Sequence, residues 1–499
     1  MKYHNPILKG FYPDPSICDD GQGGYYLVTS SFEYLPAVPL FYSQDLVNWE
    51  AVGYCLDRDS QIDLTDTPAS GGIFAPTIRR SGDTFYMITT NVTRGVFYVT
   101  SKNPRSGWSE PIFLKGLRGI DPSFTFEANT TYVQLAVEGP GHVSCIGQVE
   151  IDLATGKILT ELKIISFGTG GRDTEAPHIY QKDGYYYLMC AEGGTREAHS
   201  VTIQRSRDIW GPYEASQTNP ILSNRDQPNE TLQAVGHADL IQDAKGNWWC
   251  VALAQRPIDL KHVTGRETIL LPAKWPTGQW PTIHKGYAED WIETPLLKAQ
   301  QVVKNQFVDD FSQSKLSPVW NTIRQFNRQT IRLEHQRLLI TGNGETMSTL
   351  KSPSFLGLRQ TDPAFTFEVA LELRETSGEA GLALYLDPWH HVELGIERTA
   401  TGQKIFVRKQ VADLIVVEPA INIEAGLTNL KVTSDGQYYQ LAVQQAGTWV
   451  TVGQTYCANL ATEVGFSHYT GVYLGIYAQA AQQTVAVAQV HYQDNQYFN

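Results

Sequence analysis

Three carboxylates stand at matching places in a short sequence element that the chain repeats. Asp14 opens Asp14-Pro15-Ser16-Ile17, Asp121 opens Asp121-Pro122-Ser123-Phe124, and Glu175 directly precedes Ala176-Pro177-His178-Ile179. Carboxyl groups that share one cavity can divide acid and base work, because their surroundings give them different pKa values. An Asp before proline is also a common turn residue. Repetition at equivalent positions favours the chemical interpretation.

The repeat itself predicts how these carboxylates are positioned. Looser copies begin at Ala75-Pro76 and His237-Ala238, which makes five in all. A polar turn and an aromatic, strand-like run follow each copy, at residues 25–28, 85–88, 132–135, 185–188 and 248–251. Repeats of roughly this length are typical of radial β-arrays. We therefore predict an all-β chain whose first domain is a five-bladed β-propeller, with the first strand of each blade lining the axis.

Further residues near the predicted axis are candidates for ligand binding. Phe32 and Phe74 lie close to inner-strand positions, where an aromatic ring either fills blade core or stacks on a sugar ring at the cavity mouth. Arg266 carries planar donors that suit sugar hydroxyls or a carboxylate, although pairing with its neighbour Glu267 is equally compatible with the sequence. The glycines between residues 168 and 174 predict a flexible rim beside Glu175, since their spacing fits no phosphate loop.

His237 allows two interpretations. A histidine near a propeller axis is either a hydrogen-bonded core residue or a ligand of a water or cation at the centre. We expect it to face the axis below the cavity, where it would help to hold a structural calcium. The predicted acid–base chemistry itself requires no cofactor.

Composition limits the partners and the compartment. The formal net charge of the 499 residues is −13, which disfavours nucleic acid and anionic membranes as partners. We see no apolar run of about 18–20 residues that would span a membrane and no apolar signal core near Met1. The six cysteines are widely spaced, which predicts buried free thiols. We expect a cytoplasmic protein, for which a homo-oligomer is left open.

The character of the chain changes near Lys298. The repeats stop there, and alternating strand patterns with turn signals follow, which are typical of a β-sandwich. We predict a propeller over residues 1–297 and a concanavalin-like jelly-roll sandwich over residues 307–499.

Taken together, these motifs resemble glycoside hydrolase family 43. The matching segments are Phe11-Tyr12-Pro13-Asp14-Pro15, Gly72-Ile73-Phe74-Ala75-Pro76, Gly119-Ile120-Asp121-Pro122, Glu175-Ala176-Pro177-His178, Gly236-His237-Ala238 and Gly265-Arg266-Glu267-Thr268. The family usually has glycine where this chain has Ala176. The resemblance extends to the C-terminal domain, where Tyr469-Thr470-Gly471 matches a loop that reaches over the active-site rim in similar β-xylosidases.

The resemblance implies an inverting exo-glycosidase acting on pentose-containing oligosaccharides. It makes Asp14 the general base, Glu175 the general acid and Asp121 the group that tunes and orients Glu175. Phe32, Phe74, Arg266 and Tyr469 are the implied substrate-binding residues.

The resemblance indicates the identity of the released sugar less strictly than it indicates the mechanism. The segment around Phe74 is similar to the arabinofuranosidase branch of the family, and the segment between Pro257 and Gly265 looks shorter than in its xylosidases. We therefore expect release of terminal α-L-arabinofuranose, with a β-D-xylosidase as the alternative. A non-catalytic carbohydrate-binding propeller with a lectin-like sandwich is the alternative from another class, and it leaves three carboxylates unexplained.

Overall fold

The computed structural model describes residues 1–298, 300–304, 306–375, 377–464 and 469–495, and it is almost entirely β. The helices of the described residues are short 3-10 segments at Pro104–Ser106, Pro140–His142, Cys457–Leu460 and Thr462–Val464. The predicted all-β class is confirmed. Residues 496–499, which end the predicted second domain, lie outside the described residues.

The first domain is a five-bladed propeller, as the repeat predicts. Each repeat supplies the innermost strand of one antiparallel sheet. These inner strands pack in a closed ring, since each contacts the inner strands of the two neighbouring blades. From the axis outward, the strands are Ser16–Asp19, Tyr25–Val28, Ala37–Ser43 and Glu50–Leu56 in blade 1; Thr77–Ser81, Thr84–Asn91, Gly95–Ser101 and Ile112–Phe113 in blade 2; Ile120–Phe126, Thr131–Glu138, Ser144–Asp152, Lys157–Ile158 and Lys163–Ser166 in blade 3; Glu175–Lys182, Tyr185–Glu192, Ser200–Ser206 and Glu214–Ala215 in blade 4; and Gln233–Gln242, Trp248–Gln255, Glu267–Lys274 and Thr282–Ile283 in blade 5.

A shared backbone bend marks the first residue of the repeat in four blades. Asp14, Asp121, Ala176 and His237 have φ values of 56°, 53°, 51° and 46°, in the left-handed region that L-residues seldom occupy. The pairing register shifts at this point in blades 3, 4 and 5. Such bulges re-aim side chains locally. The repeat therefore places Asp14, Asp121, Glu175 and His237 around one end of the axis.

The second domain is a sandwich of two antiparallel sheets around one apolar core. One sheet packs on the propeller, and we call it the inner sheet. Its strands are Ser354–Arg359, Tyr473–Ala478, Glu379–Asp387, His390–Thr399, Gly402–Val411, Leu414–Val417 and Ile421–Ile423. The other we call the outer sheet. Its strands are Gln306–Asp309, Ile331–Glu334, Arg337–Thr341, Thr484–Asp494, Ala364–Leu373, Thr428–Asp435, Tyr438–Gln445 and Thr448–Tyr456.

The two domains share an aromatic interface. Tyr34 stacks on Tyr473 with 3.9 Å between ring centroids, within a buried cluster that includes Phe11, Phe32 and Tyr385. Strand Tyr34–Leu35 of the propeller pairs with Thr322–Ile323, and Lys2–His4 pairs with Trp291–Glu293 at the end of the propeller. The aromatic cluster and the pairing of Tyr34–Leu35 with Thr322–Ile323 fix the sandwich against the face of the propeller that carries the bends.

The state of the cysteines and the hydropathy of the helices can be read from the structure. All six cysteines are buried and free, which confirms that prediction. Across the described ranges, no helix is long and apolar enough to cross a membrane.

Candidate active site

One cavity of about 370 Å³ opens where the inner strands begin. Its walls contain every site residue that the sequence predicts: Asp14, Phe32, Phe74, Asp121, Glu175, His237, Arg266 and Tyr469. Residues from all five blades and from the sandwich domain therefore meet in one place, although the first and last of them are hundreds of positions apart in the chain.

Asp14 is buried and held in its charged form. The guanidinium of Arg266 donates from Nη1 to Oδ1 at 2.7 Å and from Nη2 to Oδ2 at 3.2 Å. The hydroxyl of Ser30 donates to Oδ2 at 2.6 Å. Burial opposes the charge of Asp14, but Arg266, His237 and Ser30 outweigh it and lower the pKa of Asp14 below its usual value. An ionised carboxylate at this position can accept a proton from water.

Glu175 has the opposite electrostatic environment. It begins the innermost strand of blade 4 and faces the same cavity as Asp14. Burial, and after it the negative charges of Asp173 and Asp14, raises the pKa of Glu175 to about 7. Glu175 therefore retains a proton up to about neutral pH and can donate it.

Asp121 lies against the backbone beside Glu175. Its Oδ2 accepts the N–H of Ala176 at 3.2 Å. Burial, followed by the charges of Glu175 and Asp14, raises the pKa of Asp121 well above its usual value. Asp121 and Glu175 thus compete for ionisation, and a negative charge on either one holds the proton on the other.

Asp173 is a functional candidate that sequence reasoning missed. It sits in the glycine-rich rim two residues before Glu175, and its charge acts on the Glu175 pKa more strongly than that of Asp14. The buried carboxylate of Glu192 organises this rim by accepting the backbone N–H groups of Thr169 at 2.7 Å and Gly171 at 2.8 Å. The rim is therefore held in place rather than flexible. The position of Asp173, an acidic residue close to Glu175 in the sequence, was the signal that could have identified it.

Aromatic rings form one wall of the cavity. Phe32 lies 5.1 Å from Phe74 and stacks at 5.7 Å on Tyr469, between ring centroids. The Arg266 guanidinium lies 5.6 Å from the centroids of both Phe32 and Tyr469. Phe32 is only 2% exposed, so it supports this wall more than it offers a free ring face.

The sandwich domain contributes directly to the cavity. Tyr469 donates its backbone N–H to Ser70 Oγ at 3.1 Å and accepts from Arg266 Nη2 at 3.4 Å. Thr462 and Glu463 also line the cavity, and Glu463 Oε1 lies 2.6 Å from Nδ1 of His262 in the propeller. No motif in the sequence indicated His262 or Glu463.

A buried ion pair fills the propeller axis beneath the cavity. Arg79 of blade 2 donates to both carboxylate oxygens of Asp239 in blade 5, at 2.7 and 2.9 Å, and lies 3.0 Å from Nδ1 of His178 in blade 4. Ser16 of blade 1 donates its hydroxyl to Asp239 at 2.8 Å. The inner strands of four blades are thus connected around one guanidinium.

The position of His237 differs from the expectation. His237 lines the cavity rather than the layer below it, and its Nδ1 lies 3.5 Å from Asp14 Oδ1. Calcium requires six to eight oxygen ligands, whereas the anionic donor at the axis, Asp239, is already paired with Arg79. Within the ranges described, no group of three or more His, Cys, Asp or Glu side chains is arranged to hold a metal ion. The structural calcium expected at the axis stays a prediction.

Comparison with known proteins agrees with this geometry. The sequence model of Glycosyl hydrolases family 43 matches residues 3–281, and that of the beta xylosidase C-terminal concanavalin A-like domain matches residues 308–495. The chain belongs to glycosyl hydrolase family 43. The fold class and family predicted from the motifs are therefore confirmed.

Relatives within family 43 cover nearly the whole chain. The non-reducing end alpha-L-arabinofuranosidase BoGH43B of Bacteroides ovatus is 37% identical, over 96% of this chain and 92% of its own. A xylosidase/arabinosidase of Butyrivibrio fibrisolvens is 32% identical, over 96% of both chains. The crystal structure of a xylan beta-1,4-xylosidase from Bacillus halodurans superposes with a TM-score of 0.93 at 30% identity, covering 99% of this chain and 100% of that one.

Proposed function

We propose that this family 43 glycoside hydrolase is exo-acting, inverts the anomeric centre and releases terminal α-L-arabinofuranose from pentose-containing oligosaccharides. One observation carries the mechanism: the same cavity contains Asp14 with a lowered pKa and Glu175 with a raised one. Such a pair supplies a base and an acid at the same pH.

The proposed reaction is a single displacement. Asp14 removes a proton from a water molecule while the water oxygen forms a bond to the anomeric carbon. The bond from that carbon to the leaving oxygen breaks, and Glu175 delivers its proton to this oxygen. Asp14 ends protonated and Glu175 ionised, so exchange of one proton with solvent restores both groups.

Supporting residues follow from the contacts. Arg266 keeps Asp14 ionised through its contacts with both carboxylate oxygens. Arg266 therefore supports the general base, whether or not it also contacts the sugar. Burial lowers the pKa of His237 against the opposing effect of Asp14, so a neutral His237 can hydrogen-bond to the base or to a sugar hydroxyl. Asp121 orients Glu175 through the N–H of Ala176.

The shape of the cavity supports attack on a chain end. The propeller axis below is filled by Arg79 and Asp239, and the sandwich residues Tyr469, Thr462 and Glu463 close one side. A cavity closed in this way suits one terminal sugar better than the middle of a chain. The mixed charge of its walls, which includes Arg172, Asp173 and Glu463, suits the hydroxyl groups of a neutral sugar.

The choice of sugar rests on the relatives and on the sequence around Phe74. The relative from Bacteroides ovatus is named for release of arabinofuranose from non-reducing ends, and others are named as xylosidases. The experiment is a comparison of kcat/KM on nitrophenyl α-L-arabinofuranoside and nitrophenyl β-D-xylopyranoside, since this ratio reports differential binding of the two transition states. We expect the arabinofuranoside to be preferred. A preference for the xyloside supports the β-D-xylosidase alternative, and no turnover of either supports a carbohydrate-binding protein.

A further inference from the structure

The solvent face of the outer sheet carries a row of side chains that the proposed active site does not use. Across five neighbouring strands this row consists of Gln489, Ala370, Asn429, Gln444 and Trp449. Their neighbours along each strand, such as Val369, Leu430 and Val443, point into the sandwich core and are almost fully buried. The row therefore faces solvent.

The row forms a trough rather than a flat surface. A cavity of about 260 Å³ lies over it, and Glu368 and His491 complete its walls. The small side chain of Ala370 forms the floor, because the residues on either side of it are larger. Asn429 Nδ2 donates to Gln444 Oε1 at 2.7 Å, which fixes the orientation of both amides. Two of the polar side chains of the trough, Asn429 and Gln444, are thus fixed in orientation.

The chemistry of the trough favours a neutral, hydroxyl-rich ligand. Its amides offer both hydrogen-bond donors and acceptors. Lys431 Nζ lies 3.9 Å from Glu368 and 4.0 Å from the centroid of the Trp449 ring, so the opposite charges of Lys431 and Glu368 balance beside the trough. A polyanion would find no excess positive charge there. The Trp449 ring supplies an apolar surface of the kind that stacks on sugar rings.

We propose that this trough is a second carbohydrate-binding site, which holds a neutral pentose-containing polysaccharide on the outer sheet. Stacking of a sugar on Trp449 moves the Lys431 ammonium from the ring towards Glu368, while Gln444, Asn429 and Gln489 bind the hydroxyls. The inner sheet separates the trough from the active-site cavity, since the opposite face of that sheet packs on the propeller. The trough would keep the enzyme on its polymer while chain ends are cleaved elsewhere. The choice of polymer rests on the proposed function.

Affinity electrophoresis in gels containing soluble arabinoxylan tests the proposal. The full chain is expected to be retarded, and Trp449→Ala is expected to weaken this binding about tenfold, the usual scale of a lost stacking contact. Ala370→Gln, which fills the floor without touching the core, should weaken it similarly. Trp389→Ala is the matched control, because Trp389 is 45% exposed on a turn of the inner sheet. It should migrate like the unmodified protein.

The outcomes separate this site from the proposed activity. Turnover of nitrophenyl α-L-arabinofuranoside should be unchanged in Trp449→Ala and Ala370→Gln. If the unmodified protein is retarded in the gel but does not turn over the substrate, the proposed activity is contradicted and the proposed binding site is not. No retardation of the unmodified protein, equal retardation of Trp449→Ala, or equal retardation in a gel of polyglutamate would each overturn the proposal.

Discussion

The guanidinium of Arg266 contacts both carboxylate oxygens of Asp14, at 2.7 and 3.2 Å, inside the active-site cavity. Asp14 therefore stays charged although it is only 4% exposed. Glu175 faces the same cavity, but there burial and the charges of Asp173 and Asp14 outweigh the effects of Arg266 and Arg172 and raise its pKa to about 7. This single asymmetry divides the base from the acid.

The pH dependence of kcat/KM should follow from that asymmetry. Glu175 must be protonated to act, so activity should fall as the pH rises through about 7. Asp14 must be ionised, so the fall on the acid side should come below the ordinary Asp pKa of about 3.8. The profile is measured on an unactivated disaccharide, with Glu175→Gln as the variant that should remove the alkaline fall together with most of the activity. An activity that rises between pH 7 and 9 would contradict the assignment of Glu175.

Replacing Arg266 should change the ionisation of the base. In Arg266→Met the pKa of Asp14 is expected to rise, because burial raises this pKa and the charge of Arg266 no longer lowers it. The acid side of the pH profile should move to higher pH, and kcat/KM at its optimum should fall about a hundredfold or more. Arg266→Lys keeps the positive charge but not the contact with both carboxylate oxygens. Its kcat/KM and the acid side of its pH profile should lie between those of the unmodified protein and Arg266→Met. If the acid side of the pH profile does not move in Arg266→Met, a group other than Arg266 keeps Asp14 ionised.

The axial ion pair should stabilise the propeller. Arg79→Met leaves the fully buried Asp239 without its cation, and removal of one partner from such a pair costs about 3–5 kcal/mol of unfolding free energy. Asp239→Asn should also destabilise, and the double variant should lose less than the sum of the single losses. Urea denaturation measures these values. An unchanged unfolding free energy in Arg79→Met would contradict a stabilising role of the axial ion pair.

Removing the sandwich should abolish activity. A chain ending at residue 297 lacks Tyr469, Thr462 and Glu463 from the cavity wall, and it exposes the aromatic surface around Phe11 and Tyr34. Poor solubility and loss of turnover are the expected results, measured by sedimentation and on the nitrophenyl arabinofuranoside. A soluble, fully active fragment would show that the sandwich has no part in the active site.

The sequence predicted those parts of the site that lie in the repeat. Asp14, Asp121 and Glu175 occupy equivalent places in an element copied around a ring, so their convergence follows from the copy number and the architecture. Arg79 was missed, because the other copies of the repeat carry no arginine at this place and its partner Asp239 lies 160 positions away. The contact of His262 with Glu463 spans 201 positions between two domains, and no periodicity encodes it. The left-handed bend at Asp14 is likewise imposed by the ring and not by local preference.

The configuration of the first product tests the central claim most directly. Proton NMR of the sugar released from an α-L-arabinofuranoside, recorded before mutarotation, should show β-L-arabinofuranose, because water activated by Asp14 attacks the face opposite the leaving group. Appearance of α-L-arabinofuranose as the first product would mean that a carboxylate bonds to the sugar, and it would contradict the assignment of Asp14 as the general base.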